Sequence, residues 1–225
     1  MNAQAQAKLY SQLIDHYEDC LARHGDSHRG VDWPNEQDAA TRYQVMLDVL
    51  RGQDEKISLL DFGCGAAHLY EYIQQRKLHR IEYSGLDLSA QFIALAQAKF
   101  PERCFYQTDI LADILADILV ADATAIPSFD YIILNGVLTE KLGMSFAEMW
   151  DYTQRLLRAV FAKARCGIAF NVMSKQVEWE RADLFHLPLD LLTEFLTREL
   201  SRHFVVRHDY GLYEYTTYVY RLPQR

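Results

Sequence analysis

An apolar run that closes on an acid and two nearby glycines constrains this chain more than any other stretch. Ile57 to Phe62 has the length and composition of a buried strand and runs straight into Gly63-Cys64-Gly65-Ala66-Ala67-His68. Apolar residues then recur at Leu69, Ile73 and Leu78, the spacing of a helix that packs one face on a sheet. Glycine at such a turn lets the backbone pass close to a ligand, because a Cβ would fill the space the ligand needs. The helix start offers unpaired N–H groups. Strand, glycine turn and helix together form a cradle for a small ligand.

Two nucleotide-type ligands compete for it. A dinucleotide site wants G-x-G-x-x-G or G-x-G-x-x-A, and the last position here is His68, bulky and polar. Asp61, at the strand's end, suits a ligand carrying a cation and repels a pyrophosphate. Counted from that acid, Asp61-x-Gly63-x-Gly65-x-Ala67 resembles motif I of the class I S-adenosylmethionine-dependent methyltransferases, with Ala67 in place of the last glycine. The resemblance implies cofactor contacts from Asp61, Gly63, Cys64 and Gly65. Ala67 is expected to hold helical angles, so that its methyl crowds the turn without abolishing it.

From Ile57 onward strands and helices alternate, which predicts a parallel sheet covered on both faces. Strands are expected at Ile81 to Asp87, Cys104 to Gln107, Phe129 to Leu134 and Gly167 to Val172. Helices are expected from Ser89, over Phe146 to Ala164 and over Leu187 to Leu200. Phe204 to His208 and Tyr213 to Arg221 flank a turn too short for a crossover helix, so this pair must be antiparallel. With the family resemblance, the expected fold is α/β and Rossmann-like. Its seven-stranded mixed sheet has six parallel strands and an antiparallel last one.

Before the first strand, Ala3 to Arg23 and Asp38 to Leu50 pattern as two helices, read as a cap over the sheet's ligand-binding end. The expected organisation is a cap over residues 1–52 and one Rossmann-like domain over 53–225. A duplication, Ile110-Leu111-Ala112-Asp113 and Ile114-Leu115-Ala116-Asp117, reads as a helix with a solvated acidic side.

Net charge is −8 with no basic block, which argues against a grip on nucleic acid or an anionic membrane. No apolar run approaches a membrane span and Met1 to Leu9 lacks a signal core, so a cytoplasmic protein is expected. The cysteines lack C-x-x-C spacing, and neither a metal site nor a disulfide framework is expected. Cys64 and Cys166, in or beside strands, are read as buried thiols.

Two more acids fall at strand ends. Asp87 can take both ribose hydroxyls. Asp109 resembles the methyltransferase position that accepts from the adenine amino group, with Leu88 and Ile110 on the two faces of the ring. Arg42 is weighed as a partner of the cofactor's carboxylate, through a loose likeness to a Gln-x-x-Arg segment found before motif I. Asn135 shares only the first letter of the N-P-P-Y motif of base-amine methyltransferases and reads as a pocket wall beside the transferable methyl.

Methyl transfer from a sulfonium demands alignment and a dry pocket, and a general base only for some acceptors. His186, Glu140 and His68 are the candidate bases, His68 being read rather as support for the helix start, and Trp179, Phe185, Tyr210, Tyr213, Tyr215 and Tyr218 are candidates for an aromatic acceptor pocket. The expected activity is methyl transfer from S-adenosylmethionine to a small molecule. The alternatives are a non-catalytic S-adenosylmethionine-binding partner or regulatory subunit and a nicotinamide-dependent oxidoreductase. The acceptor and the oligomeric state are not legible.

Overall fold

The computed structural model describes residues 3–33, 35–52, 55–109 and 126–224. Ile110 and the duplicated Ile-Leu-Ala-Asp segment lie outside the described residues. Two helices, α1 (Ala3–His24) and α2 (Glu36–Leu47), precede the first strand. Then come β1 (Ile57–Phe62), α3 (His68–Gln75), β2 (Ile81–Asp87), α4 (Ala90–Lys99), β3 (Cys104–Gln107) and β4 (Phe129–Leu134). The rest is α5 (Phe146–Lys163), β5 (Ala164–Ser174), β6 (His186–Leu187), α6 (Leu189–Phe195), β7 (Phe204–Arg207) and β8 (Glu214–Tyr220).

These strands form one mixed sheet in the order β3-β2-β1-β4-β5-β8-β7, with the two-residue β6 pairing the end of β5. β1, β2, β3, β4 and β5 run parallel, and β8 lies antiparallel between β5 and β7. The Rossmann-like α/β sheet expected from the sequence is thus present, with β6 as an addition too short for periodicity to reveal. The crossover direction puts the ends of β1, β2 and β4 side by side: Asp61 is opposite both Gly85 and Ile133. Sequence reversal after β1 (β2 on one side, β4 on the other) opens the crevice where ligands of such sheets bind.

Apolar residues alternate onto both faces. Leu60, Ile132, Phe170 and Leu157 pack in one cluster, while Leu59, Ile133, Ile73 and Val45 pack in another. The sheet is therefore dry on both sides, which explains why its central strands read as continuous apolar runs. Ser89 caps α4 through the Phe92 N–H at 3.2 Å, and Ser145 with Glu148 forms a reciprocal capping box on α5. The helix expected over Leu187–Leu200 is broken: α6 widens into a π turn over Leu196–Leu200.

Cys64 and Cys20 are buried, but Cys166 is exposed, against expectation. It lies near the start of β5, where the burial pattern has not yet become continuous. Among the described residues no helix is long and apolar enough to cross a membrane.

Candidate functional site

The turn after β1 has the conformation its glycines permit. Gly63 and Gly65 sit at φ +77° and +50°, and a Cβ on either would meet Val137 Cγ2 at 2.6 Å or Val31 Cγ1 at 3.1 Å. The Gly63 and Cys64 N–H groups donate to the Leu86 carbonyl at 2.7 and 2.9 Å, which lashes the turn to β2. Ala67 corrects the expectation: at φ 60°, ψ 34° it is left-handed and caps α3 with no side-chain hydrogen bond. Such angles cost a residue with a Cβ about 1–2 kcal/mol.

Two buried carboxylates border this turn. Asp87 accepts the Gly65 N–H on Oδ2 and the Ser89 N–H on Oδ1, both at 2.9 Å. It therefore fixes the turn and the start of α4 together, and each oxygen retains a lone pair. Burial raises its pKa, against the pull of those amide bonds. Asp61 accepts from the Tyr83 hydroxyl at 2.9 Å. Burial pushes its carboxyl up to about 7; the Tyr83 bond opposes the rise and the charge of Asp87 adds to it. Cys64 is inert by the same physics, its thiol pushed well up by burial.

His68, the misfit of the dinucleotide pattern, faces the cavity and pairs through Nε2 with Asp26 Oδ1 at 2.7 Å. Lys99 meets the same Asp26 at 2.8 Å, Glu71 at 2.7 Å and the Ala66 carbonyl at 2.9 Å. Burial works against the Asp26 anion, but the Lys99 and His68 bonds outweigh it and lower its pKa. The loop after α1 is thereby fastened to the glycine turn.

The cavity runs from this turn past Leu88 and Asp109 on one side and past Asn135, Gly136 and Glu140 on the other. Tyr17 of α1, with Trp33 and Tyr43, supplies aromatic wall from the N-terminal segment. Trp33 stacks on Tyr43 with centroids 5.5 Å apart, and it faces Gly136, where a Cβ would come within 3.6 Å of the indole. Asn135 Oδ1 is buried and has no hydrogen-bond partner. Glu140 is raised by burial and by Asp32.

Three expectations fall elsewhere. Arg42 does not line the cavity: its Nε and Nη2 donate to the Glu214 carboxylate at 2.7 to 3.0 Å, and its guanidinium lies 4.9 Å from the Trp33 ring centroid. Glu214 also accepts from Asn171 Nδ2 at 2.8 Å, and Asn171 Oδ1 accepts the Gly136 N–H at 2.8 Å. This ring of contacts joins α2, β8, β5 and the turn after β4. No local pattern announced it, although an acid at the start of a fully buried strand was a signal.

His186 is buried in β6, its Nδ1 2.7 Å from the Ser174 carbonyl and its Nε2 accepting the Arg181 N–H at 3.4 Å, away from the cavity lining. The C-terminal aromatics also lie off the lining; Trp179 and Tyr213 pack on each other 5.0 Å apart. His16, Cys20 and Asp32 bring donor atoms within 4.8 Å of one another. These donors already serve one another and Arg23, with His16 on Asp32 at 2.9 Å and Arg23 Nη2 3.7 Å from Cys20 Sγ.

A glycine turn lashed to β2 beside two buried acids, at the reversal point of a sheet whose last strand is inserted antiparallel, has the placement of a ligand-binding crevice in an α/β fold. Residues 60–166 match the family model described as a methyltransferase domain. Rv1506c of Mycobacterium tuberculosis (strain ATCC 25618 / H37Rv), named as a methyltransferase, is 27% identical over 167 residues, 73% of this chain and 93% of its own length. Among solved structures, magnesium protoporphyrin IX methyltransferase from Synechocystis PCC 6803 with bound S-adenosylmethionine aligns over 99% of this chain and all of its own. Its TM-score is 0.59 at 15% identity, so the likeness is one of fold. The mitomycin 7-O-methyltransferase MmcR aligns over 95% of this chain and 60% of its own, with a TM-score of 0.60 at 14% identity.

Residues 60–166 thus match a methyltransferase domain, and the chain shares its fold with a methyltransferase that binds S-adenosylmethionine.

Proposed function

We propose that the chain methylates a small molecule, with the cofactor lying along the turn after β1 and the acceptor entering beside Asn135 and Glu140. The observation that carries this reading is the single cavity joining Asp61, Asp87 and Asp109 to a second end walled by Tyr17 and Trp33. The residues present suit the cofactor. Asp87 has lone pairs for two ribose hydroxyls, and Asp109 is an acceptor for the adenine amino group beside Leu88. Gly63, Cys64 and Gly65 allow close backbone approach, and Asp61 is a buried carboxylate suited to the cationic end. Ile110, expected on the adenine ring, lies outside the described residues.

When bound, S-adenosylmethionine supplies an electrophilic methyl on sulfur. The chain's own part is alignment and exclusion of water. Asn135 and Gly136 end β4 next to the turn, and Trp33 closes over Gly136. Held in line, an acceptor needs little further help. The walled cavity and the charge of −8 favour a small acceptor over a nucleic acid. The cap over residues 1–52 is read as the part that shapes the acceptor end.

Calorimetric titration with S-adenosylhomocysteine, and separately with NAD, tests the cofactor assignment; binding of NAD alone sinks it. Asp87→Ala should weaken S-adenosylhomocysteine by about 1–3 kcal/mol, because it strands buried hydroxyls and frees the turn. Unchanged affinity in that variant removes Asp87 from the site.

A further inference from the structure

Among the described residues the cavity is lined by four carboxylates, Asp61, Asp87, Asp109 and Glu140, and by no lysine or arginine. The segment over 110–125 adds three aspartates and no Lys, Arg or His to the sequence, so it brings no compensating cation. In the methyl-transfer reading, on which this inference rests, three of the four acids serve the cofactor. Glu140 is left over.

Its surroundings are specific. The backbone at Glu140 is fixed by an antiparallel bridge to Leu184 and by the Phe185 N–H donating to the Thr139 carbonyl at 2.8 Å. The side chain thus projects into the cavity from an anchored loop. Among the described residues its carboxylate makes no hydrogen bond or ion pair, although burial disfavours its charge and Asp32 adds to the penalty. Tyr17, which feels the charges of Glu140, Asp32 and Asp87, and Tyr152 stand on the same lining. Asn135 Oδ1, buried and without a donor, is a second acceptor atom there. An unpartnered carboxylate, an orphaned amide oxygen and aromatic rings together suit a cation with N–H donors. An anionic acceptor would be repelled by the four carboxylates of the lining.

We propose that the methyl acceptor is an amine that arrives as its ammonium, with Glu140 as its anchor and base. The ammonium donates one proton to the Glu140 carboxylate. The freed nitrogen lone pair forms the new N–C bond as the C–S bond breaks, its electrons staying on sulfur to leave a neutral thioether. The N-methylammonium product carries the positive charge away, and the Glu140 proton passes to water, one proton released per transfer.

The test uses the full chain saturated with S-adenosylhomocysteine and titrated calorimetrically at pH 8 with phenethylamine, phenethyl alcohol and phenylacetate. The amine should bind at least tenfold tighter than the alcohol, and phenylacetate should not bind. Glu140→Gln should remove the preference for the amine while S-adenosylhomocysteine affinity, which also reports the fold, stays unchanged. Should that variant fail to bind S-adenosylhomocysteine, Glu140→Asp, which keeps the charge, should retain part of the preference.

In the unmodified chain, amine affinity should rise with pH as Glu140, raised by burial, ionises. The groups that set this ionisation are Asp32, His16, Asp183 and Arg181, with Tyr17 opposite. The proposal is overturned by equal binding of amine and alcohol, by binding of phenylacetate, by binding of none of the three, or by a preference that survives in Glu140→Gln. Absence of S-adenosylhomocysteine binding to the unmodified chain is a different failure, which removes the methyl-transfer reading itself.

Discussion

The two ends of the cavity are built by different means. The end at Asp61, Gly65 and Asp87 comes from one continuous strand–turn–helix–strand run, with Asp87 tied to the turn by the Gly65 N–H and Asp61 held by the Tyr83 hydroxyl. The end at Glu140 is assembled from Tyr17, Trp33 and Asn135, and it is steadied by a ring of side chains in which Arg42 and Glu214 are 172 positions apart. The first end is local and acidic by design of its sequence. The second exists only when distant segments dock. Stability and cofactor affinity should therefore respond to different substitutions.

The largest effect is expected from Arg42→Ala. It leaves Glu214, 2% exposed, without its guanidinium, and breaking a buried pair in this way costs about 3–5 kcal/mol. Denaturant unfolding should show that loss, while the folded fraction keeps its S-adenosylhomocysteine affinity within about twofold. A large loss of affinity with stability intact would return Arg42 to the cofactor's carboxylate and erase the contrast.

An intermediate effect belongs to Asp61. Its folded pKa, about 7, stands above the ordinary carboxylate value, so the fold binds its proton more tightly than the unfolded chain does. The associated stability is fully present below about pH 4 and is lost as pH rises toward about 7. Asp61→Asn should therefore be more stable than the unmodified protein at pH 8, with the advantage shrinking by pH 5. The α-ammonium of S-adenosylhomocysteine favours the ionised acid, so this ligand should bind more tightly at pH 8 than at pH 5.5, and the Asn variant should flatten that rise. A pH-independent affinity in both proteins would detach Asp61 from the ligand.

The smallest effect sharpens the local end. Ala67→Gly relieves a left-handed residue at the start of α3 but adds entropy to the unfolded chain, for a net gain of at most about 1 kcal/mol. A rise of a few degrees in the unfolding midpoint is expected. A fall would mean that the Ala67 methyl, fully buried, contributes more through packing than its angles cost.

This division also explains what could be read from the sequence. Asp61, Gly63, Gly65 and Asp87 were legible because apolar runs fix strand ends, and a strand end fixes where its acid points. β2, β3 and β4 were bounded by the same signals. Ala67's left-handed angles were not legible, since they follow from the path the turn takes under α3 rather than from alanine's preference. Arg42 has the look of a ligand-binding arginine until a carboxylate from the far end of the chain is brought against it. His186 likewise looked chemical and proved to be a satisfied residue in a two-residue strand. Side chains that meet only through tertiary docking leave no periodicity to read.

The insertion of β8 between β5 and β7 has a consequence for how the molecule is made. During synthesis, the segment holding Asp61 and Asp87 leaves the ribosome long before residue 214 does, whereas a domain generally folds as a unit. The glycine turn has its hydrogen-bond partners within that segment. Arg42, Trp33 and the turn at Gly136 must wait for Glu214 to be translated and slotted into the sheet. One end of the cavity thus draws its contacts from a single segment, whereas the other is complete only once Glu214 has joined the sheet.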